Sequence, residues 1–295
     1  MPYITVGKEN HIDIKIHYED HGTGKPIVLI HGFPLSGAAW EKQVAVLLKA
    51  GHRVVTYDRR GFGLSSQPSI GYNYDTLADD LHTLITQLDL RDVTLVGHSM
   101  GTGEITRYLG TFGSKLISRA VLIAPIPPFL LKTKDNQTGV DSSVFEGMKA
   151  AIVKDRPAFI AEFFKNFYNT DKNLGTLVSK ERIQVDFNLG TSASAIGTLA
   201  CVSAWLTDFR RDLPKIDIPC LIIQGGADRI LPIEATGTIL AKLIKARLVK
   251  IPDGPHAVAW THSDLVNKEI LNFLSEGALT QSSQIKDDVP LQSEK

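Results

Sequence analysis

Cysteine is nearly absent: Cys201 and Cys220 are the only two among 295 residues. That count excludes a disulfide-stapled secreted scaffold. Cys220 lies in an apolar, strand-like run, so buried free thiols in a reducing compartment are expected, with a disulfide as the alternative. Charge of one sign is not in excess either. Lys and Arg number 32, Asp and Glu also 32, and the formal charge is zero. A neutral chain has no bulk attraction for nucleic acid or an acidic membrane surface. No apolar run approaches the ~20 residues that a spanning helix needs. Met1 to His21 is polar and alternating, unlike a secretory signal, and a cytoplasmic location is expected. Closely spaced cysteine pairs, HExxH and CxxCH are missing, so the expectation is no metal and no cofactor. Neither GxxxxGK[ST] nor GxGxxG occurs, which removes the standard phosphate-cradling loops.

What is present is a large apolar fraction, 43% of residues, enough for a sizeable core. Ile4–Val6 and Ile12–Tyr18 alternate apolar and polar residues, which predicts an antiparallel pair at a sheet edge. Pro26–Ile30 is uniformly apolar, and with the further runs Arg53–Tyr57, Val93–Val96, Ala120–Ala124, Cys220–Gln224 and Arg247–Ile251 it predicts a series of strands, the first of them buried on both faces. Helical patterns fall between them at Ala39–Ala50, Tyr74–Leu88, Thr102–Leu109, Ile233–Lys245 and Val266–Ser275. Strands alternating with helices predict an α/β fold with a mostly parallel, doubly wound sheet. The rhythm breaks between residues 127 and 212, which carry helical pattern and phenylalanines at Phe145, Phe159, Phe163, Phe164, Phe167 and Phe187 but no convincing buried strand. These residues are expected to form a helical cap, with 1–126 and 213–276 as one discontinuous core domain. The phenylalanines would either pack the cap's own core or face a ligand. The polar segment 277–295 is expected to be disordered or a terminal extension.

The run Val93-Thr-Leu-Val-Gly-His-Ser-Met-Gly101 reads as a strand entering Gly-x-Ser-x-Gly. A serine hydroxyl becomes a nucleophile only when it is held out of the backbone beside a base, and a tight strand-to-helix turn supplies the exposure. Gly97 and Gly101 leave room for that turn around Ser99. In such sites the acid and then the histidine follow the serine along the chain. Asp228 follows the strand Cys220–Gln224, and His256 follows the strand Arg247–Ile251. Asp253 is a rival acid, but it shares the His256 loop. His98 adjoins Ser99 and diverges from it, and His262 suits a structural role better. Two backbone donors should face the developing oxyanion: Met100 N–H after the nucleophile, and Phe33 N–H in the loop His31-Gly32-Phe33-Pro34. His31 is expected to anchor that loop. The stretch Tyr57 to Ser66 is expected to be a structural loop whose charged residues pair with one another.

Together His31-Gly-Phe-Pro34, Asp58-Arg-Arg-Gly-Phe-Gly-Leu-Ser-Ser66, Gly97-His-Ser-Met-Gly101, Gly226-Ala-Asp228 and Pro255-His256 resemble the α/β-hydrolase fold. More closely, the chain resembles the cofactor-free haloperoxidases, also known as non-haem chloroperoxidases, and their arylesterase relatives. The resemblance runs from Met1 to about Leu274. It implies Ser99 as nucleophile, His256 as general base, Asp228 as orienting acid, and Phe33 and Met100 as oxyanion donors. It also implies an ester or carboxylic acid substrate, hydrogen peroxide and halide as co-substrates, and a homo-oligomer. A proline at position 34 is associated in that family with perhydrolysis, in which peroxide replaces water. The pocket that the resemblance suggests comprises Pro34, Phe129, Phe145, Phe159, Phe163, Ile230 and Ile233. Two residues depart from the family: Ala257, where glycine often follows the histidine, and Arg229, often Gln or Lys. A lactonase or C–C hydrolase with the same triad, and a slow-turnover ligand receptor, remain as alternatives. Dehalogenases and epoxide hydrolases need a carboxylate where Ser99 stands.

Overall fold

The computed structural model describes residues 2–276, and the expectation for 277–295 lies outside the described residues. Its strands are β1 (Tyr3–Glu9), β2 (Ile12–His21), β3 (Pro26–Ile30), β4 (Arg53–Tyr57), β5 (Val93–His98), β6 (Ile117–Ile123), β7 (Cys220–Gly225) and β8 (Arg247–Ile251). They form one sheet in the order β1-β2-β4-β3-β5-β6-β7-β8. β2 runs antiparallel to both β1 and β4, and every pairing from β4 to β8 is parallel. The edge hairpin and the apolar strands stand where the sequence patterns put them.

The apolar runs are continuous because both faces of the sheet are covered. Val28, Ile30, Val55, Leu95 and Leu122 pack on one side with Leu81 and Leu84 of helix α2 and Ile105 and Leu109 of α3. Their sequence neighbours Ile27, Leu29, Val54, Val96, Val121 and Ile123 pack on the other side. The helices are α1 (Glu41–Lys49), α2 (Tyr74–Gln87), α3 (Met100–Phe112), α4 (Ser142–Tyr168), α5 (Thr170–Asn173), α6 (Lys180–Ser192), α7 (Ala195–Ala204), α8 (Gly237–Leu243), α9 (Val258–Thr261) and α10 (Ser263–Ser275). α2 shows how sequence sets the packing. Asn73 caps its first turn, and Tyr74, Leu77, Ala78, Leu81, Leu84 and Ile85 fall on a single buried face. From β3 the chain steps to β4 on one side, and β5 lies on the other. That reversal leaves a crevice at the carboxyl ends of β3 and β5, the ligand-binding position of open α/β sheets.

Between β6 and β7 the chain forms α4 to α7. α4 is bent at Asp155 (φ −160°, ψ 89°), just before Pro157. The Asp155 carboxylate accepts the Ala158 N–H at 3.0 Å and so caps the second half. Phe145, Ile152, Cys201 and Trp205 from this segment pack with Phe33, Phe62, Tyr74 and Met100, residues at the crevice. Both cysteines are free and buried, and burial raises each thiol to about 12.

The Tyr57–Ser66 loop departs from expectation, since its charges pair outward and not with one another. Arg59 pairs with Glu104 of α3, and Arg60 grips Asp80 of α2 through two bonds of 2.6 Å. Asp58 accepts the N–H groups of Gly37 and Leu64 and lies 3.3 Å from His17 Nδ1. Each buried charge has its partner on a neighbouring element, and no sequence spacing shows that. Glu104 is fully buried and also accepts the Tyr57 hydroxyl at 2.5 Å. Glu104→Ala leaves the Arg59 guanidinium buried and unpaired, so a loss of ~3–5 kcal/mol is expected. Urea unfolding measures it, and an unchanged midpoint contradicts this account of the pair.

Candidate active site

Ser99 stands between β5 and α3 with φ 52° and ψ −116°, a left-handed conformation uncommon for a non-glycine residue. Close packing on both sides holds it there. A Cβ at Gly97 would stand 2.8 Å from the Gly101 backbone, and one at Gly101 would stand 2.4 Å from the Ile30 carbonyl oxygen. Only glycine fits at either position, so helix α3 can lie against the end of β5. The Ser99 carbonyl accepts the Thr102 N–H at 2.9 Å and its hydroxyl at 2.6 Å, which locks the turn.

Asp228 and His256 come from the loops after β7 and β8. The two strands are paired, so their loops lie side by side: Ala227 N–H donates to the Gly254 carbonyl at 3.0 Å. The Asp228 carboxylate receives the Ile230 and Leu231 N–H groups at 2.9 and 2.8 Å through Oδ1. Its Oδ2 lies 2.8 Å from His256 Nδ1. A carboxylate only accepts, so Nδ1 carries the proton and the Nε2 lone pair is free. His256 Nε2 is buried with no hydrogen-bond partner, and no hydrogen bond joins it to Ser99. The rival carboxylate, Asp253, lies 3.5 Å from His262 Nε2 on the surface.

The loop after β3 turns through Phe33 and Pro34, with Leu35 N–H bonded to the Gly32 carbonyl at 3.0 Å. A Cβ on Gly32 would come within 3.2 Å of Ser99 Cβ, so this loop runs directly beside the serine. Met100 opens α3, where the first N–H groups have no intrahelical acceptor. Among the described residues neither the Phe33 nor the Met100 N–H donates to a protein acceptor.

Two buried histidines hold the surroundings. The His31 Nε2 accepts the Arg59 N–H at 3.0 Å, so its proton is on Nδ1, which donates to Gly32 O at 2.9 Å. His98 points away from Ser99 and donates Nε2–H to the His256 carbonyl at 3.0 Å. Neither contact is visible in the sequence, where His98 is only a neighbour of the serine.

A cavity of about 220 Å³ opens at Ser99. Of the expected pocket residues, Phe145, Phe159, Phe163 and Ile230 line it. Pro34, Phe129 and Ile233 do not. Pro34 instead packs toward Gly190, Phe129 lies under the Arg210 guanidinium, and Ile233 is buried elsewhere. The remaining lining is Phe33, Ile126, Leu130, Met148, Glu162, Asn166, Trp205, Arg229 and Leu231. Phe159, Glu162, Phe163 and Asn166 recur at i, i+3, i+4 and i+7, a spacing from which Glu162 and Asn166 could have been found. Arg229 is turned to a carboxylate at the rim, with two bonds to Asp171 of 2.7 and 3.0 Å. Ala257 lines a separate small cavity behind His98. Of the phenylalanines of α4 and α6, Phe145, Phe159 and Phe163 line the cavity, whereas Phe164, Phe167 and Phe187 pack in a cluster that includes Leu35 and Ala257 of the sheet domain's loops.

Burial lowers His98 from the ordinary 6.5 to about 3, with His256 a smaller cause. Burial, followed by Arg59, lowers His31 well below the same value. As pH falls below about 6.5 the unfolded chain takes up protons at both positions that the folded chain refuses, so stability falls toward acid. Melting temperature is expected to drop steadily from pH 7 to pH 4, and His98→Asn to flatten that slope. A slope unchanged in His98→Asn contradicts the assignment.

The sequence profile of the α/β-hydrolase fold family matches residues 25–263. A protein of Synechocystis sp., provisionally named a non-heme chloroperoxidase, is 64% identical over 93% of this chain and 100% of its own length. A bifunctional esterase/perhydrolase of Acinetobacter calcoaceticus is 32% identical, over 88% of this chain and 96% of that protein. The crystal structure of a bromoperoxidase from Bacillus anthracis superposes with a TM-score of 0.90 at 45% identity, covering 93% of this chain and 99% of that one. With the parallel sheet, the crevice at its switch point and the matched length, the chain belongs to the α/β-hydrolase fold family, among the non-heme haloperoxidases.

Proposed function

We propose that the protein hydrolyses carboxylic esters through an acyl-enzyme on Ser99 and transfers the acyl group to hydrogen peroxide as well as to water. The observation that carries this reading is the Asp228–His256 contact of 2.8 Å, which leaves the Nε2 lone pair free, together with a serine that lines an apolar cavity. His256 takes the Ser99 proton as Oγ attacks the ester carbonyl, and Asp228 stabilises the imidazolium that results. The N–H groups of Phe33 and Met100 receive the oxyanion. Losing one such donor typically costs about 10²–10³ in kcat. The tetrahedral intermediate collapses, the alcohol leaves with the proton from His256, and the acyl group stays on Oγ.

Water or peroxide then attacks the acyl carbon and gives its proton to Nε2. The acyl–Oγ bond breaks, and Ser99 regains a proton. Peroxide yields a peracid, which takes two electrons from bromide and a proton from solvent, giving hypobromous acid and the carboxylic acid. No redox group on the protein takes part in that sequence. The similarity to the esterase/perhydrolase supports the peroxide step. The cavity, at about 220 Å³, has far more room than acetyl requires, and its aromatic walls suit an aryl or branched acyl group. Residues 127–212 act as the cap that shapes this cavity, over a core of 1–126 and 213–276.

Ser99→Ala is expected to abolish p-nitrophenyl acetate hydrolysis and peroxide-dependent bromination together. Bromination that survives intact while hydrolysis is lost rules out a shared acyl-enzyme. Phe145→Ala, which enlarges the cavity, is expected to shift preference toward bulkier acyl groups by roughly tenfold in kcat/KM, the scale of one or two methylenes. A panel of p-nitrophenyl esters and lactones measures the shift and separates esterase from lactonase activity.

A further inference from the structure

Helix α4 ends where the loops bearing Asp228 and His256 meet. Asn169 follows its last residue in the left-handed conformation, φ 50° and ψ 57°, which asparagine tolerates better than most side chains. The Asn169 side chain is buried, and its Nδ2 donates to the carbonyl of Ala227, the residue before Asp228, at 2.8 Å. Two positions earlier, the Phe167 carbonyl accepts the N–H of Ala257, the residue after His256, at 2.9 Å. The Phe167 ring stands edge-on to the His256 ring at 5.2 Å. A three-residue helix end therefore grips both loops, each at the residue adjoining the acid or the base.

The orientation of the Asn169 amide is fixed by chemistry. A carbonyl oxygen can only accept, so the NH₂ must face Ala227, and Oδ1 is left buried without a partner. Glycine would supply the same backbone turn at no steric cost. What asparagine adds is the tie to the acid loop.

We propose that Asn169 is a positioning residue: its amide holds the Ala227 carbonyl so that Asp228 Oδ2 stays within reach of His256 Nδ1. This rests on the assignment of Ser99, His256 and Asp228 above. If the acid loop drifts, His256 loses the acceptor that sets its tautomer and ring orientation, and Ser99 is activated less well. Asn169 does not line the cavity, so substrate binding stays as it was.

The test uses Asn169→Gly, which keeps the left-handed turn, and Asn169→Asp, which keeps the shape but replaces the donor with an oxygen. Each is compared with the wild type and Ser99→Ala in p-nitrophenyl acetate turnover and in the rate of labelling by a fluorophosphonate, a probe that reads serine activation without a known substrate. Active-site titration of the labelled protein gives kcat per folded molecule. In both variants kcat and the labelling rate are expected to fall by about tenfold or more while KM stays within about twofold, the pattern for lost positioning. Wild-type kcat and labelling rate in Asn169→Gly, with Ser99→Ala unlabelled, overturn the proposal and leave the nucleophile assignment standing. A raised KM with kcat preserved also overturns it. Labelling of Ser99→Ala as fast as wild type overturns instead the assignment on which the proposal rests.

Discussion

The guanidinium of Arg59 is the hub on which the crevice depends. It is buried and pairs with the equally buried Glu104 on the first turns of α3. The same residue donates its side chain to the His31 carbonyl at 2.7 Å and its backbone N–H to His31 Nε2 at 3.0 Å. Three segments that are distant in sequence thus share one charge: the loop after β3, the loop after β4, and the helix that Ser99 introduces. Two charges out of water are costly unless every lone pair and proton is used. Here the Tyr57 hydroxyl takes part of the remaining capacity of Glu104. The network fixes relative position, and Gly32 can then run beside Ser99 without slack.

A strained serine needs such surroundings. The left-handed conformation at Ser99 persists because β5, α3 and the end of β3 close around it, with backbone on each side where a Cβ would have to fit. From the opposite side, His98 and the end of α4 hold the loops of β7 and β8. Each loop is short, and each is tied at residues flanking a polar side chain in the crevice. The apolar cavity lies between these two holding systems, so its walls come from both the sheet edge and the helices that follow β6.

Much of this was legible in the residues. Continuous apolar strands signalled a sheet covered on both faces, because period-two alternation vanishes when neither face meets water. Gly97 and Gly101 signalled the turn around Ser99, since two absent side chains at that spacing leave room for a helix against a strand end. Asp228 and His256 stood out because each follows a strand, and parallel strands deliver all their ends to one edge. The partners of Arg59, Arg60 and Asp58 were not legible. Expected to pair within their own loop, they reach Glu104, Asp80 and His17, and nothing in local spacing encodes a contact across such sequence distance. The pocket was read only in part, since Pro34, Phe129 and Ile233 turn elsewhere while Trp205 and Met148 turn inward.

The order of elements, the parallel sheet and the Ser99 turn follow from the sequence alone, because they depend on periodicity and on residues that lack side-chain bulk. Those are local properties, set within a few positions along the chain. Tertiary structure alone decided which charges are buried together, which way His98 points, and how the end of α4 meets the loops after β7 and β8. Such contacts join elements separated by dozens to more than a hundred residues, as His98 and His256 do. Their geometry is set by how whole helices pack on the sheet, and no single stretch of sequence carries that information.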